Sequence, residues 1–100
     1  MTDDENVSDI FDNLKTPTDV AIYIKKALDY GDVALAAAAI GNVTRFIGMA
    51  KIADKSGIHR ESLYRTFSDT GNPRLSTLLV VLKAIGLKLS VEALEETDQK

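Results

Sequence analysis

Residues 49–67 read MAKIADKSGIHRESLYRTF, and the reading of this stretch decides the fold. A short helix is predicted from Met49 to Lys55, a turn at Ser56-Gly57, and a second short helix from Arg60 to about Phe67. Ile52 and Ala53 face inward on the first helix, Ile58 plugs the corner, and Leu63 anchors the second helix. Ala53 is small where the second helix crosses close to it, and Gly57 suits a positive φ that a side chain would oppose. Two short helices joined by a glycine turn form the helix-turn-helix arrangement. The outward positions of the second helix are then His59, Arg60, Glu61, Ser62, Tyr64 and Arg65, so hydrogen-bond donors cluster there.

On the N-terminal side, Thr16 offers an N-cap with Pro17 at the first helical position and Asp19 in the first turn. Val20, Ile24, Ala27 and Leu28 recur at helical spacing and predict a helix ending at Tyr30-Gly31. Asp32 caps a second helix, with Leu35, Ala36, Ala39, Ile40 and Val43 along one stripe and Gly41 tolerated inside it at some cost. A break follows at Ile47-Gly48. On the C-terminal side, Ser68 to Arg74 (SDTGNPR) is a loop. Ser76 is expected to cap a longer helix whose Leu78, Leu79, Leu82 and Ile85 face the core, with Gly86 as its stop. Leu87, Leu89 and Val91 alternate with Lys88, Ser90 and Glu92, which predicts a short strand that needs a partner edge. The expected fold is mainly α: five helices and a short C-terminal β-strand.

The 100 residues, 45% apolar and 27% charged, suit one soluble globular domain. A chain this short buries only about two-thirds of its unfolded surface, so a dimer partner would help its stability. Cysteine is absent and His59 is the only histidine, which excludes disulfides, thiol nucleophiles and multi-histidine zinc sites, and no metal or other cofactor is expected. Asp54, Ser56 and His59 or Ser62 lie on one local helix and turn and would not converge on a pocket, so no enzyme activity is expected. No signal peptide or apolar run of about 18 residues stands out, and the chain reads as cytoplasmic.

The net charge of −3 is unevenly placed. Asp3, Asp4, Glu5, Asp9 and Asp12 face no Lys or Arg within residues 1–14, whereas residues 44–74 hold six cations against three carboxylates. Residues 1–15 are expected to be an acidic flexible arm, with Val7, Ile10 and Phe11 as its apolar anchors. Residues 16–94 then form the domain and residues 95–100 a frayed tail.

The segment from Tyr23 to Asp32 (YIKKALDYGD), GMAKIADKSGIHRESLYRTFS, the GNPRLSTL loop and the KAIGLKLSV ending together resemble the lambda-repressor-like (Xre-type) helix-turn-helix proteins. More narrowly, they resemble the addiction-module antidote family, the HigA-type antitoxins of bacteria. The resemblance covers roughly residues 20–92. It implies a dimeric antitoxin that neutralises a RelE/HigB-like toxin and represses its own operon by sequence-specific DNA binding. A stand-alone Xre-type repressor, or a helical interaction module that does not bind DNA, are the alternatives.

Carried over by position, the resemblance makes His59 the cap of the recognition helix and points Arg60, Glu61, Tyr64 and Arg65 at the major groove. Ser62 can reach a base edge or a phosphate. Arginine can pair bidentately with guanine O6 and N7 for about 1–3 kcal/mol of discrimination, and Glu61 can accept from cytosine N4. His59 serves equally as a helix cap, and Tyr64 as a side chain packed beside Phe67. Met49, Ala50 and Lys51 would lie against the phosphate backbone, with Asn72 and Arg74 as secondary phosphate contacts. Met49 stands where many Xre-type domains place a glutamine for that purpose. Leu87, Leu89 and Val91 are the expected dimer interface, and Val7, Ile10 and Phe11 the expected toxin-binding anchors, because a basic toxin would attract an acidic arm.

Overall fold

A computed structural model of the chain describes residues 14–68 and 71–94. These form five helices: α1 Pro17–Asp29, α2 Val33–Ile47, α3 Met49–Ser56, α4 Arg60–Thr66 and α5 Leu75–Ile85. The protein is mainly helical, as the periodicities predict. Residues 1–13, including Val7, Ile10 and Phe11, and the tail 95–100 lie outside the described residues.

The start of α1 is a reciprocal cap. Thr16 Oγ1 accepts from the Asp19 N–H at 3.1 Å, and Asp19 Oδ2 accepts from the N–H groups of Thr16 (3.1 Å) and Lys15 (3.0 Å). Three donors at the start of the helix are thereby satisfied. The backbone bonds from Lys15 and then Thr16 hold the Asp19 carboxyl below its ordinary 3.8. A folded value below the unfolded one makes the contribution present above 3.8 and lost as pH falls through the lower folded value. Thr16→Ala is expected to cost about 1 kcal/mol, and Asp19→Asn to flatten the loss of stability at acid pH. Thermal melts of both variants at neutral pH and below pH 4 check this, and an unaltered acid slope in Asp19→Asn would refute it.

Asp32 caps α2 through Oδ1, which accepts from Ala34 N–H at 2.9 Å and Leu35 N–H at 3.3 Å. The buried stripe of α2 is Ala37, Ala39, Ile40, Gly41, Val43 and Thr44. Leu35, expected inside, is 42% exposed in the first turn of α2. Gly41 has a packing reason: a Cβ there would stand 2.9 Å from Phe67 Cβ. Between α2 and α3 the chain bends by 101°. Gly48 makes that corner at φ +125°, a conformation that L side chains rarely adopt.

α1 packs on α2, and α3 lies among α2, α4 and α5. The residues sealed most completely are Ile40, Val43, Thr44, Ile52, Leu63 and Val81, drawn from four helices. Thr44 hides its hydroxyl by donating to the Ile40 carbonyl at 2.8 Å. In α5 the core side is Val81 and Leu82, with Leu78 and Ile85 at its margin, while Leu79 is 45% exposed. The cap expected at Ser76 moves upstream: Arg74 occupies the N-cap position, with no side-chain cap bond, and the helix begins at Leu75.

The predicted C-terminal strand does not form among the described residues, since Leu87 to Leu94 carry no helix or strand. The reason is the one the alternation itself raised: among the described residues no second edge lies beside this segment. It is instead anchored at one end, Leu87 N–H donating to Leu82 O at 2.8 Å, and Glu92 pairs with Lys25 Nζ at 3.4 Å. Lys25 also pairs with Asp29 at 3.0 Å, and the two carboxylates raise its pKa, Asp29 more than Glu92.

Candidate nucleic-acid interface

The α3–α4 corner is built by local chemistry. Gly57 ends α3 at φ +77°, in the left-handed region, and its N–H donates to Ala53 O at 2.9 Å. Ser56 Oγ accepts from Ile58 N–H at 3.2 Å and donates to Ala53 O at 3.4 Å, which fixes the path out of the turn. Ile58 then packs half-buried against the core, and Leu63, fully enclosed, pins α4. His59 occupies the N-cap position of α4, as expected, but its side chain makes no capping bond. Its carbonyl does accept from Leu63 N–H at 3.0 Å. The imidazole is exposed and free to face outward.

The far end of α4 is held by a residue that sequence reasoning missed. Arg45 Nη2, reaching from α2, donates to Phe67 O at 3.1 Å, and Phe67 itself is buried against Gly41. The positive charge thus sits against carbonyls at a helix C-terminus, where cations are favoured. The two residues are 22 apart in the chain, so no local spacing could have revealed the contact. In the following loop, a Cβ on Gly71 would collide with the Thr66 carbonyl, so glycine there permits the close return of the chain.

With both ends secured, α4 presents His59, Arg60, Glu61, Tyr64 and Arg65 as exposed residues, and Ser62 half-buried between them. Arg65 Nη2 donates to Ser62 Oγ at 3.3 Å, which lays the guanidinium along the helix. A shallow cleft between α3 and α4 is lined by Ala50, Ala53, Asp54, Ile58, His59 and Arg60. Ala50 and Lys51 are exposed at the start of α3, whose N-terminus has no side-chain cap. Its first N–H groups are therefore open to an external acceptor. Met49, expected beside them, has its side chain buried in the core at 6% exposure, so only its backbone is left to touch a phosphate. Asn72 and Arg74 are exposed on the loop that follows α4. No single helix among the described residues is long and apolar enough to cross a membrane.

These features define a small helical protein that presents a pair of short helices, one of them with an arginine-bearing outward face. Comparison with known proteins narrows this. The family described as "Probable addiction module antidote protein" matches residues 5–93. A Haemophilus influenzae protein, named only "Uncharacterized protein", is 33% identical over 92 residues, which cover 92% of this chain and 95% of that one. No solved structure matches. The chain belongs to the addiction-module antidote family. That membership supports an antitoxin role, with a toxin in general as partner, and a regulatory rather than enzymatic protein.

Proposed function

We propose that this chain is the antitoxin of a type II toxin–antitoxin module in the bacterial cytoplasm. It neutralises a RelE/HigB-like toxin by direct binding and represses its own operon as a DNA-binding homodimer. The observation that carries the DNA-binding part is the outward face of α4, where Arg60 and Arg65 stand exposed on a helix locked at Leu63 and Phe67. A rigid helix carrying arginines can enter a major groove and read guanine edges, a loop-borne pair far less so. In this reading α3 and α4 form a helix-turn-helix. His59, Glu61, Ser62 and Tyr64 share the base-facing surface, while Lys51, Ala50, the Met49 backbone, Asn72 and Arg74 position the duplex through phosphates.

The domain comprises residues 16–94, preceded by the acidic arm 1–15 and followed by the tail 95–100. Toxin binding is assigned to the arm, through Val7, Ile10 and Phe11 among its carboxylates, whose charge complements a basic surface. Deleting residues 1–14 is expected to weaken toxin affinity, and, because Leu14 packs half-buried against the core, to lower the melting temperature of the domain as well. Unaltered toxin affinity in calorimetry would refute the arm model.

The reading as a whole is tested by co-expressing the chain with the product of the adjacent small reading frame. A co-purifying complex, with growth arrest by the neighbour alone and rescue by the pair, is the expected result. A harmless or non-binding neighbour would leave a stand-alone Xre-type repressor. A helical interaction module without DNA binding draws its support from the net charge of −3. Absent or salt-insensitive, sequence-blind DNA binding would favour it.

A further inference from the structure

We propose that residues 88–92 pair antiparallel with the same residues of a second copy of the chain, about a two-fold axis passing through Ser90. This rests on the homodimer reading above and specifies the dimer contact. Among the described residues, the backbone of Lys88 to Glu92 takes part in no hydrogen bond. The segment is nevertheless anchored at one end by Leu87 N–H on Leu82 O, with the solvent-exposed Lys25–Glu92 pair as a weak contact at the other. An anchored segment with unpaired N–H and C=O groups is a template for another chain. Pairing it costs less ordering entropy than recruiting a free tail would. Val91 is 96% exposed and Leu89 is 40% exposed, so an apolar edge accompanies the open backbone.

The second copy is chosen by charge and shape. In KLSVE, residues 88–92, an antiparallel register centred on Ser90 sets Lys88 of each copy opposite Glu92 of the other, and Leu89 opposite Val91. Opposite charges directly across an antiparallel pair stabilise it, and so do paired aliphatic side chains. A shift of the register by one residue breaks both matches at once. Lys88 has no carboxylate partner among the described residues. Leu89 lines a groove of about 440 Å³ beside α1, together with Ala21, Ile24, Leu28 and Leu87. A Val91 delivered opposite Leu89 would close over that groove. The contact is isologous, as a two-fold dimer demands.

Because the chain has no cysteine, single substitutions give an unambiguous cross-link map. Under mild oxidation of the full chain, Ser90→Cys is expected to convert most of the protein to a covalent dimer. Lys88→Cys alone is expected to stay monomeric on a denaturing gel, and a mixture of Lys88→Cys with Glu92→Cys to cross-link. Val91→Asp, at an exposed site that leaves the monomer fold intact, is expected to weaken self-association at least about tenfold in sedimentation. If sedimentation finds a dimer that cross-links through Leu79→Cys, on the exposed side of α5, and not through Ser90→Cys, the proposed contact is overturned while the dimer stands. If the chain is monomeric at all concentrations, both fall. If Val91→Asp lowers toxin affinity in a monomeric chain, the edge belongs to the toxin and the proposal is likewise overturned.

Discussion

Leu63→Ala is expected to destabilise the protein by about 2–5 kcal/mol, a large share of the roughly 5–15 kcal/mol that holds a typical domain folded. Leu63 is wholly enclosed, in the same core cluster as Ile52, Phe67 and Val81. Truncation there loses the transfer energy of the removed methyls and leaves a cavity among helices that can only partly collapse into it. The effect should exceed that of a comparable change on α1, because α4 is a helix of 7 residues that makes its main helix contact with α3. So short a helix is marginal by itself and depends on its tertiary anchor. Urea unfolding at fixed protein concentration checks the prediction through a lower midpoint with an unchanged slope. A midpoint equal to that of the parent chain would mean that α4 is not seated on this core.

Arg60→Ala is expected to leave that midpoint within about 0.5 kcal/mol of the parent's, since the residue is exposed. Its cost falls on operator binding instead: about 1–3 kcal/mol of discrimination, or roughly 5- to 150-fold, concentrated at one base pair. Lys51→Ala provides the contrast. A phosphate contact carries no sequence information, so its loss should weaken operator and random DNA alike and reduce the slope of log K against log salt by about 1. Fluorescence anisotropy titrations on both DNAs, at several salt concentrations, separate the two outcomes. An Arg60→Ala protein that still discriminates as well as the parent would remove Arg60 from the base-reading surface and shift the assignment to Arg65.

How much of this was legible in the sequence follows from where the physical information lies. The caps at Thr16 and Asp32, the corner at Gly57 and the stop at Gly86 are local events, written within a few residues of where they act, and each appears as expected. The exposed face of α4 was legible for the same reason. Leu79 and Leu35 were misplaced because apolar character alone does not say which part of a helix a neighbour covers. Arg45 and the true role of Gly41 were invisible, since both depend on Phe67, far along the chain.

The C-terminal segment shows the same boundary from the other side. Alternation of Leu87, Leu89 and Val91 correctly singles out the segment as unusual, but a strand is a property of two edges and a sequence describes one. The sequence by itself determined five helices, the glycine corner between α3 and α4, the absence of thiol chemistry and the identity of the outward donors. These follow from backbone propensity, capping and composition, which act over a few residues. Only the tertiary structure decided that Met49 is core, that Arg45 secures α4 and that residues 88–92 stand without a backbone partner among the described residues. Those outcomes turn on which helix reaches which, a matter of long-range packing geometry that no local run of residues encodes.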